Sequence, residues 1–394
     1  MKIAGIICEY NPFHIGHAEH IEKTRQILGD DCGIICVMSG NFVQRGDFAV
    51  FNKHARAKAA VLGGADLVIE LPSPYALSSA EGFARAGVHI LDSLGICEYI
   101  SFGSESGDIG GLLEAAEVIV SPDAAAHLKK WLGNGLPYAA AMQKAADAML
   151  GARSQLFLSP NNLLGVEYLK AIAASGARLC PVTIKREGAA HDSESGRSAS
   201  ALRKILLRGE IPEGDVPDAA LSVYLEEIAA GRGPVSMKAC EPAMLSRLRL
   251  MADFSHLPAV SEGLDRRFMR YAASEPTIGR LLDKMKTKRY AMSRLRRLLM
   301  CACLGITAAV TSEPPPYIRV LAMNHTGANM LRAAGKTNRL PIIIKPAAAL
   351  SLPAPAADMF RLEAAATDLY VLAYRNEDSR AGGQEWRRSP IVVD

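Results

Sequence analysis

Three histidines and a glycine lie within seven residues near the start of the chain, in the string EYNPFHIGHAEH (9–20). The string follows an apolar run and contains a proline, which is typical of a turn. A helix beginning near Gly16 would direct its first backbone N–H groups toward an anion. His14 and His17 can donate hydrogen bonds to phosphate oxygens, more strongly when protonated, and Gly16 permits close approach of a nucleotide. The string therefore predicts a phosphate-binding junction between a strand and a helix.

Other interpretations of these histidines stay open. Three imidazoles could bind zinc, but His14 and His17 precede or open the predicted helix, and no carboxylate stands at HExxH spacing. Each histidine alone could also be an ordinary core or surface residue. The sequence contains neither the Walker A string GxxxxGK[ST] nor the dinucleotide motif GxGxxG, so neither of those nucleotide sites competes.

Five apolar runs in the first half of the chain would position these histidines. Unbroken apolar runs are typical of parallel strands covered on both faces, and the first four recur about every 30 residues, the spacing of βαβ units. A helical insert over 107–175 separates the last two runs. The pattern predicts an α/β fold with a Rossmann-like parallel five-stranded sheet. The runs are IAGIIC (3–8), GIICVM (33–38), DLVIEL (66–71), YISFG (99–103) and LCPVTI (179–184).

Glycine, proline and polar residues follow all five runs, at the strand ends where ligands of parallel α/β sheets bind. The strings are EYNPFHIGH, MSGNFVQRGD, ELPSPY, FGSESGD and KREGAAHD. Turns alone would explain part of this pattern, because loops are generally polar. The concentration at one edge predicts a cleft there. Carboxylates near these exits are candidate Mg²⁺ ligands, and the sequence does not rank them: Glu9, Asp47, Glu70, Glu105 and Asp192.

The second half of the chain has a helical pattern with many Lys and Arg residues. The string EPPPY (313–317) breaks it, because proline cannot continue a helix. A strand–helix–strand element and a last helix near 358–372 follow. We therefore predict three domains: an α/β domain over 1–215 that contains the predicted phosphate-binding junction, a basic helical domain over 216–312 and a small α/β element over 313–394.

Two basic clusters could contact nucleic acid or be ordinary solvated helix faces. The first is LDKMKTKRYAMSRLRRLLM (282–300), with RRFMR (266–270) upstream, and its apolar residues fall near helical period. Its cations are Lys284, Lys286, Lys288, Arg289, Arg294, Arg296 and Arg297. The second cluster follows the second apolar run and comprises Gln44, Arg45, Lys53 and Arg56.

Composition limits the protein class. The chain has 394 residues, of which 49% are hydrophobic and 22% charged, as in globular proteins. A net charge of +4 permits a polyanionic partner without requiring one. Eight cysteines without a CxxC pair are typical of free thiols in a reducing compartment. No run approaches about 20 uninterrupted apolar residues. We expect a cytoplasmic protein without a membrane span.

The string HIGH (14–17) resembles the signature of the nucleotidyltransferase superfamily, whose members transfer adenylyl groups from ATP. A second superfamily element is a serine-rich turn before an arginine that opens a helix, and SASALR (198–203) resembles it. In that turn Ser200 is predicted to cap the helix. Arg203, one turn along, is predicted to direct its guanidinium to the β- and γ-phosphates.

A wider set of strings is similar to the bacterial tRNA(Met) cytidine acetate ligase family. They are EYNPFHIGH, MSGNFVQRGD, ADLVIELPSPYA, SFGSESGD, LSPNNLLGVEYLKA, TIKREGAAHDS, YIRVL, PIIIK and ATDLY. The resemblance implies that ATP, with Mg²⁺, activates acetate as acetyl-adenylate. The acetyl group then passes to the exocyclic amine of the wobble cytidine in elongator tRNA(Met), giving acetylcytidine. It implies RNA and acetate as partners and suggests no protein partner.

The resemblance also implies site residues. His14, His17, Lys185 and Arg203 would be catalytic, since this chemistry depends on positioning and on stabilising phosphate charge. Gly103, Asn161, Arg186 and Ser200 would contact the nucleotide, with Asn162 as a companion. Ala190 departs from the aromatic residue of relatives, so a stacking role is not carried over. The ATP loop would comprise Ile7, Cys8, Glu9, Tyr10, Asn11, Pro12, Phe13, His14, Ile15, Gly16, His17, Ala18, Glu19 and His20.

Two other functions stay open. A small-molecule nucleotidyltransferase that adenylylates a cofactor precursor would explain HIGH and SASALR equally well, but it leaves the basic second half without a role. A non-catalytic RNA-binding relative would keep the same fold. The intact His14, His17, Ser200 and Arg203 argue against that second alternative.

Overall fold

The computed structural model describes residues 1–136, 138–186, 198–260, 263–288 and 290–394. The strands are β1 Ile3–Cys8, β2 Gly33–Ser39, β3 Phe42–Val43, β4 Asp47–Phe48, β5 Leu67–Leu71, β6 Tyr99–Ser104, β7 Cys180–Lys185, β8 Ile318–Met323, β9 Ile342–Ile343 and β10 Ile391–Val392. The α-helices are α1 Ile15–Leu28, α2 Lys53–Leu62, α3 Ser73–Ala76, α4 Ala80–Ser93, α5 Ile109–Ile119, α6 Pro122–Gly133, α7 Tyr138–Leu150, α8 Pro160–Ser175, α9 Ala199–Leu207, α10 Asp218–Ala229, α11 Glu241–Leu250, α12 Leu264–Ser274, α13 Ile278–Met285, α14 Met292–Leu304, α15 Ala308–Ser312, α16 His325–Ala334 and α17 Ala354–Val371. Short 3₁₀ helices cover Gly151–Leu158, Met237–Cys240, Pro346–Ser351, Glu377–Arg380 and Glu385–Arg387.

The five predicted strands form the parallel part of the main sheet, in the order β5-β2-β1-β6-β7. The chain moves outward from β1 to β2 and β5, then crosses back to β6 on the other side of β1. Ligands of such sheets bind outside the carboxyl ends of the strands at this switch point. The predicted α/β class and the parallel sheet are confirmed, and the fold directs attention to the exits of β1 and β6.

Alternate residues of the central strands pack into two separate cores, because helices cover both faces of the sheet. On β2, Ile35 and Val37 belong to one core, and Ile34, Cys36 and Met38 to the other. Helices α4, α5, α8 and α17 contribute to the first core, and helices α1, α2, α9 and α10 to the second. Burial on both faces explains why these strands read as unbroken apolar runs.

Strands from the last part of the chain extend the sheet to eight strands. β8 pairs antiparallel with β5, and β9 and β10 pair parallel with β8. The predicted strand–helix–strand element is β8, α16 and β9, and the last predicted helix is α17. The three-domain division of the sequence stays a prediction.

A third core joins the helices of the second half to a small hairpin that sequence patterns did not predict. Strands β3 and β4 are two residues each and pair antiparallel. Phe42 and Phe48 of this hairpin are buried with residues of α11 to α14 and α17. None of the helices described by the structure is both long and apolar enough to cross a membrane.

Candidate nucleotide site

The HIGH string forms the N-terminus of α1, as its pattern predicts. His14 is the N-cap, and its Nδ1 accepts the backbone N–H of Gly16 at 3.1 Å. The Nδ1 of His17 accepts the backbone N–H of His14 at 3.3 Å, which completes a capping box. The two imidazole rings lie 3.8 Å apart between centroids. Both histidines therefore hold the helix end that the sequence assigns to phosphate.

Hydrogen bonding and charge fix the protonation of these rings. Because each Nδ1 accepts a backbone N–H, each neutral ring carries its proton on Nε2 and can donate from there. Burial, with the cations Arg186 and Arg203, lowers the pKa of His14 to about 4. Burial and the neighbouring His14, Arg186 and His20 hold the pKa of His17 well below its ordinary value. The protein without ligand therefore presents neutral Nε2–H donors at neutral pH.

His20 lies one turn further along α1 and contacts the sheet. Its Nε2 is 3.0 Å from the Ser101 hydroxyl, which is 2.8 Å from the Thr24 hydroxyl. Burial and Arg186 lower the pKa of His20 to about 4. Ser101 and Thr24 were missed from sequence. A serine inside the apolar run YISFG was the available signal, because a buried hydroxyl needs a partner.

The SASALR turn places Arg203 beside the HIGH helix, but Ser200 has a different role from the one predicted. Ser198 is the N-cap of α9, accepting the Ala201 N–H at 3.2 Å, so the prediction that Ser200 caps the helix is wrong. The Ser200 hydroxyl instead accepts from Nη2 of Arg203 at 3.0 Å. Nη1 of Arg203 donates to the Asn11 carbonyl at 2.7 Å. Arg203 is thereby fixed against the ATP loop.

Six residues of the ATP loop are anchored in the protein. Ile7, Tyr10, Asn11, Pro12, Phe13 and His14 are buried. Asn11 Oδ1 accepts the Val50 N–H at 2.7 Å, and the Phe13 N–H donates to the Tyr224 hydroxyl at 2.9 Å.

The other residues of the loop, on either side of the buried segment 10–14, keep accessible surface. Exposed or partly exposed residues are Cys8, Glu9, Ile15, Gly16, His17, Ala18, Glu19 and His20. We infer that the buried part positions the accessible part.

The exits of β6 and β7 lie side by side, next to the switch point between β1 and β6. A Cβ on Gly103 would lie 3.2 Å from Cγ of Arg186, so the arginine side chain extends over this glycine. The Arg186 N–H donates to the Ser104 carbonyl at 2.9 Å. Lys185 is exposed at the end of β7. The predicted positions Ala190, His191 and Asp192 lie outside the described residues.

Glu105 organises the loop after β6. Its carboxylate accepts the Asn161 side-chain amide at 2.7 Å and the Asn162 N–H at 2.9 Å. The Asn162 side chain is buried and its Oδ1 accepts the N–H groups of Glu105 and Ser106 at 2.9 and 3.1 Å. Asn162 therefore supports the loop, while the partly exposed Asn161 stands on its outer side.

Lys53 and Arg56 are not surface residues, so the prediction of an RNA contact through them is wrong. Lys53 Nζ lies 2.7 Å from both Glu70 and Glu385, with 1% of its side chain exposed. Arg56 is fully buried and donates to four backbone carbonyls: Glu9, Ser39, Gly40 and Phe51. Gln44 and Arg45, from the same predicted cluster, do reach the surface at the tip of the β3–β4 hairpin.

The predicted metal-binding carboxylates mostly have protein partners. Glu70 pairs with Lys53, and Asp47 lies 3.2 Å from Arg296. Glu9 Oε1 accepts the Gln44 N–H at 2.6 Å. Within the described parts of the chain, no three His, Cys, Asp or Glu side chains are placed to hold a metal together. A three-histidine zinc site has no support in this part of the chain.

The basic stretch 282–300 covers the second half of α13, the following turn and most of α14. Lys284, Lys286 and Lys288 are exposed, whereas Leu295, Leu298 and Leu299 are buried, as the helical period predicts. Arg294 stacks over the Tyr290 ring at 5.1 Å. Arg289 lies outside the described residues. The exposed lysines give this side of the helical region a positive surface.

Comparisons with known proteins agree with this geometry. A sequence model of the HIGH nucleotidyl transferase family matches residues 1–385. The tRNA(Met) cytidine acetate ligase of Acetivibrio thermocellus is 38% identical over the whole of both chains. That of Caldicellulosiruptor saccharolyticus is 36% identical over this whole chain and 99% of its own.

Solved structures agree as well. Thermotoga maritima TmcAL bound with α-thio ATP is 31% identical with a TM-score of 0.92, and its apo form is 32% identical with a TM-score of 0.94, each over the whole of both chains. The chain therefore belongs to the HIGH nucleotidyl transferase family and, within it, to the tRNA(Met) cytidine acetate ligases.

Proposed function

We propose that this protein activates acetate with ATP and transfers the acetyl group to the exocyclic amine of the wobble cytidine in elongator tRNA(Met). The observation that carries the proposal is the convergence of His14, His17 and Arg203 at the exit of β1, in a chain aligned end to end with tRNA(Met) cytidine acetate ligases. The α-thio ATP of the T. maritima relative supports ATP as the nucleotide.

In the first step, an acetate oxygen attacks the α-phosphorus of ATP and pyrophosphate leaves. Negative charge builds on the phosphate oxygens and on the leaving group, so fixed donors and cations lower the barrier. We assign the Nε2–H donors of His14 and His17 and the guanidinium of Arg203 to these oxygens. Because protein groups already hold these side chains, little reorganisation accompanies the reaction.

Arg186 and Lys185 are proposed to act on the other side of the nucleotide. Arg186 lies over Gly103, where an added Cβ would be 3.2 Å from its Cγ, so the glycine lets the arginine side chain lie against the backbone of β6. Asn161 stands at the outer side of the adjoining loop. These positions support the nucleotide-binding roles that the family resemblance implies for them.

In the second step, the cytidine amine attacks the acetyl carbon of the adenylate. The bond from that carbon to the adenylate oxygen breaks, AMP leaves, and the amine nitrogen gives up a proton. The base must be unpaired to reach the anhydride, as anticodon-loop bases can be. We propose that the basic helices of 216–312 contact the RNA backbone, which their exposed lysines support.

Mg²⁺ is proposed to arrive with ATP. Protein sites for Mg²⁺ commonly supply one or two carboxylates beside the substrate phosphates. Glu9 is partly exposed next to the HIGH helix and fits such a role. The eight free cysteines support a cytoplasmic location, where thiols stay reduced.

The experiment that tests the proposal follows radiolabelled acetate and pyrophosphate together. Purified protein is incubated with ATP, Mg²⁺ and acetate, first alone and then with elongator tRNA(Met). Label in the RNA, located at the wobble cytidine by nuclease mapping, is the expected result. A tRNA transcript with uridine at that position is the control and should take up no label.

The other outcomes favour the alternative functions. Acetate-dependent pyrophosphate release without label in RNA would indicate a different acceptor, as in a small-molecule nucleotidyltransferase. RNA binding with no pyrophosphate release would indicate a non-catalytic relative. Either result would overturn the proposal.

A further inference from the structure

The β3–β4 hairpin is fixed between the nucleotide site and the basic helices. Its base is buried: the rings of Phe42 and Phe48 pack on Tyr370 of α17, with centroid distances of 6.1 and 5.7 Å. Its tip, residues 44–47, reaches the surface, where Arg45 is exposed. The base thus holds a short exposed tip in a defined place.

The tip contacts both the ATP loop and helix α14. The Gln44 N–H donates to Glu9 Oε1 at 2.6 Å. On the other side the Gln44 carbonyl accepts from Nη1 of Arg297 at 3.3 Å, and Asp47 Oδ2 lies 3.2 Å from Nη1 of Arg296. One four-residue turn therefore joins the loop that carries the histidines to the helix that carries the arginines.

Gly46 shows how close the tip and the helix are. Its φ is +73°, and a Cβ there would lie 2.5 Å from the backbone carbon of Arg296 and the backbone nitrogen of Arg297. Only glycine fits, both in conformation and in space. The ATP loop, the hairpin tip and this part of α14 consequently form one continuous surface.

This surface carries an excess of positive charge. Arg45, Arg203, Arg294, Arg296 and Arg297 lie on or beside it, and Arg45 and Asp47 are close enough to Arg203 to affect its pKa. Glu9 and Asp47 contribute negative charge to the same surface. The side chain of Arg296 is 41% exposed, so its guanidinium is accessible from solvent beside Asp47.

We propose that the hairpin tip, with Arg296 and Arg297, binds the phosphodiester backbone of the RNA loop beside the accepting nucleotide. An RNA phosphate replaces Asp47 as the partner of Arg296, because a guanidinium matches phosphate oxygens in geometry and charge. The inference rests on the proposed RNA substrate and adds where the strand enters. Glu9 and Arg203 border the same tip, so an RNA strand bound there lies next to the adenylate.

The test compares a double variant in α14 with a control at a distant arginine. The double variant R296Q/R297Q removes both guanidinium groups, and R361Q removes an exposed arginine that pairs with Asp358 on its own helix. Fluorescence anisotropy with labelled elongator tRNA(Met) measures Kd over a series of KCl concentrations. The double variant should raise Kd about tenfold or more and reduce the salt slope by about 0.7–0.9 for each phosphate that the protein no longer neutralises. R361Q should match the wild type.

Two further measurements separate RNA contact from structural support. Acetate-dependent pyrophosphate release without RNA should stay within about twofold of wild type in R296Q/R297Q, since α14 holds none of the nucleotide-site residues. D47N should lower the Kd for RNA, because the carboxylate that competes with phosphate is gone. An unchanged Kd and salt slope in R296Q/R297Q, or weaker RNA binding in D47N, would overturn the inference.

The same experiment distinguishes this inference from the proposed function. If the wild-type protein binds RNA through Arg296 and Arg297 but transfers no acetyl group, the proposed RNA-binding surface is supported and the proposed function is contradicted. If acetyl transfer occurs but the Kd for RNA is unaltered in R296Q/R297Q, the proposed function is supported and the proposed RNA-binding surface is contradicted. Absence of RNA binding by the wild type would remove both.

Discussion

Two groups of cationic side chains lie near the carboxyl edge of the same sheet, and only one of them is available to a ligand. Arg186 and Arg203 stand beside the accessible HIGH helix. Lys53 and Arg56 are sealed behind it, and their charges are met by carboxylates and backbone carbonyls of the protein. Residue type and position after a strand are alike in both groups. What separates them is burial: Lys53 and Arg56 are closed off from solvent among their protein partners, whereas Arg186 and Arg203 keep exposed surface, although Arg203 also donates to the Asn11 carbonyl.

Substitution in the buried group, Lys53 and Arg56, should have the largest effect on the free energy of unfolding. Lys53→Met leaves Glu70 and Glu385 buried without their shared cation, which should lower the free energy of unfolding by about 3–5 kcal/mol. Lys58→Met is the matched control on the same helix: Lys58 pairs with Glu226, whose side chain is 63% exposed, and such pairs contribute about 0–1 kcal/mol. Urea denaturation followed by circular dichroism measures both.

A second variant tests whether the stability lost in K53M comes from the uncompensated buried carboxylates. K53M/E70Q removes one of the two stranded charges and should recover part of the lost stability. If K53M were no less stable than K58M, the contrast between a sealed and an accessible group would be wrong.

Substitution of His17, on the accessible HIGH helix, should instead lower the rate of the reaction. His17→Asn keeps an acceptor for the His14 N–H but removes the Nε2–H donor, so acetate-dependent pyrophosphate release should fall about 10²–10³-fold, or about 2.7–4 kcal/mol in the barrier. His17→Gln returns an amide near the Nε2 position and should recover part of the rate. The Kd for RNA should stay within about twofold of wild type in both. Equal rates in wild type and H17N would remove His17 from the phosphate site.

Sequence patterns predicted the helix starts at HIGH and SASALR, which carry or adjoin the accessible group, and wrongly placed the buried group at the surface, for a physical reason. The HIGH and SASALR strings carry their own local geometry, a strand exit and a helix start, so their function can be inferred without distant partners. The partners of Lys53 include Glu385, more than 300 positions away in the chain, which no local pattern identifies. The β3–β4 hairpin escaped prediction for a related reason, since strands of two residues show no periodicity.

The main sheet shows the same division. Strands β1, β2, β5 and β6 were predictable because burial on both faces makes them apolar runs. The edge strand β7 is buried only at Ile184 and was predicted from its apolar residues alone. The strand–helix–strand element near the chain end was also predictable. Its antiparallel pairing with β5 was not, because pairing depends on which edge of the sheet lies open.

Protonation of His20 should make the stability of the folded protein depend on pH. His20 has its pKa lowered to about 4 in the folded protein, whereas the unfolded chain titrates near 6.5. The unfolded state therefore binds more protons between these values, so this histidine contributes stability above pH 6.5 that is lost as pH falls toward 4.

The measurement compares wild type with H20Q, in which an amide can still meet Ser101. Between pH 4.5 and 6 the stability of wild type should fall more steeply on acidification, by at most about 1.4 kcal/mol per pH unit. H325Q, at an exposed histidine, serves as the control and should follow wild type. Taking the difference between variants removes the opposing contribution of buried carboxyls such as Glu363, whose pKa burial raises to about 8. Parallel pH profiles for H20Q and wild type would contradict the assignment.

The smallest expected effects separate two serines that lie two positions apart. Ser198→Ala removes the N-cap of α9 and should lower the free energy of unfolding by about 1 kcal/mol. Ser200→Ala removes the acceptor of Arg203 Nη2 and should leave stability within about 0.5 kcal/mol of wild type. Its effect should appear in the KM for ATP, which rises about 2- to 10-fold when a hydrogen bond worth about 0.5–1.5 kcal/mol no longer orients the guanidinium.

Urea denaturation and pyrophosphate release at varied ATP concentration test both serine variants. The reverse result, a less stable S200A with normal KM, would make Ser200 the cap, and Arg203 would then have to be oriented by the Asn11 carbonyl alone.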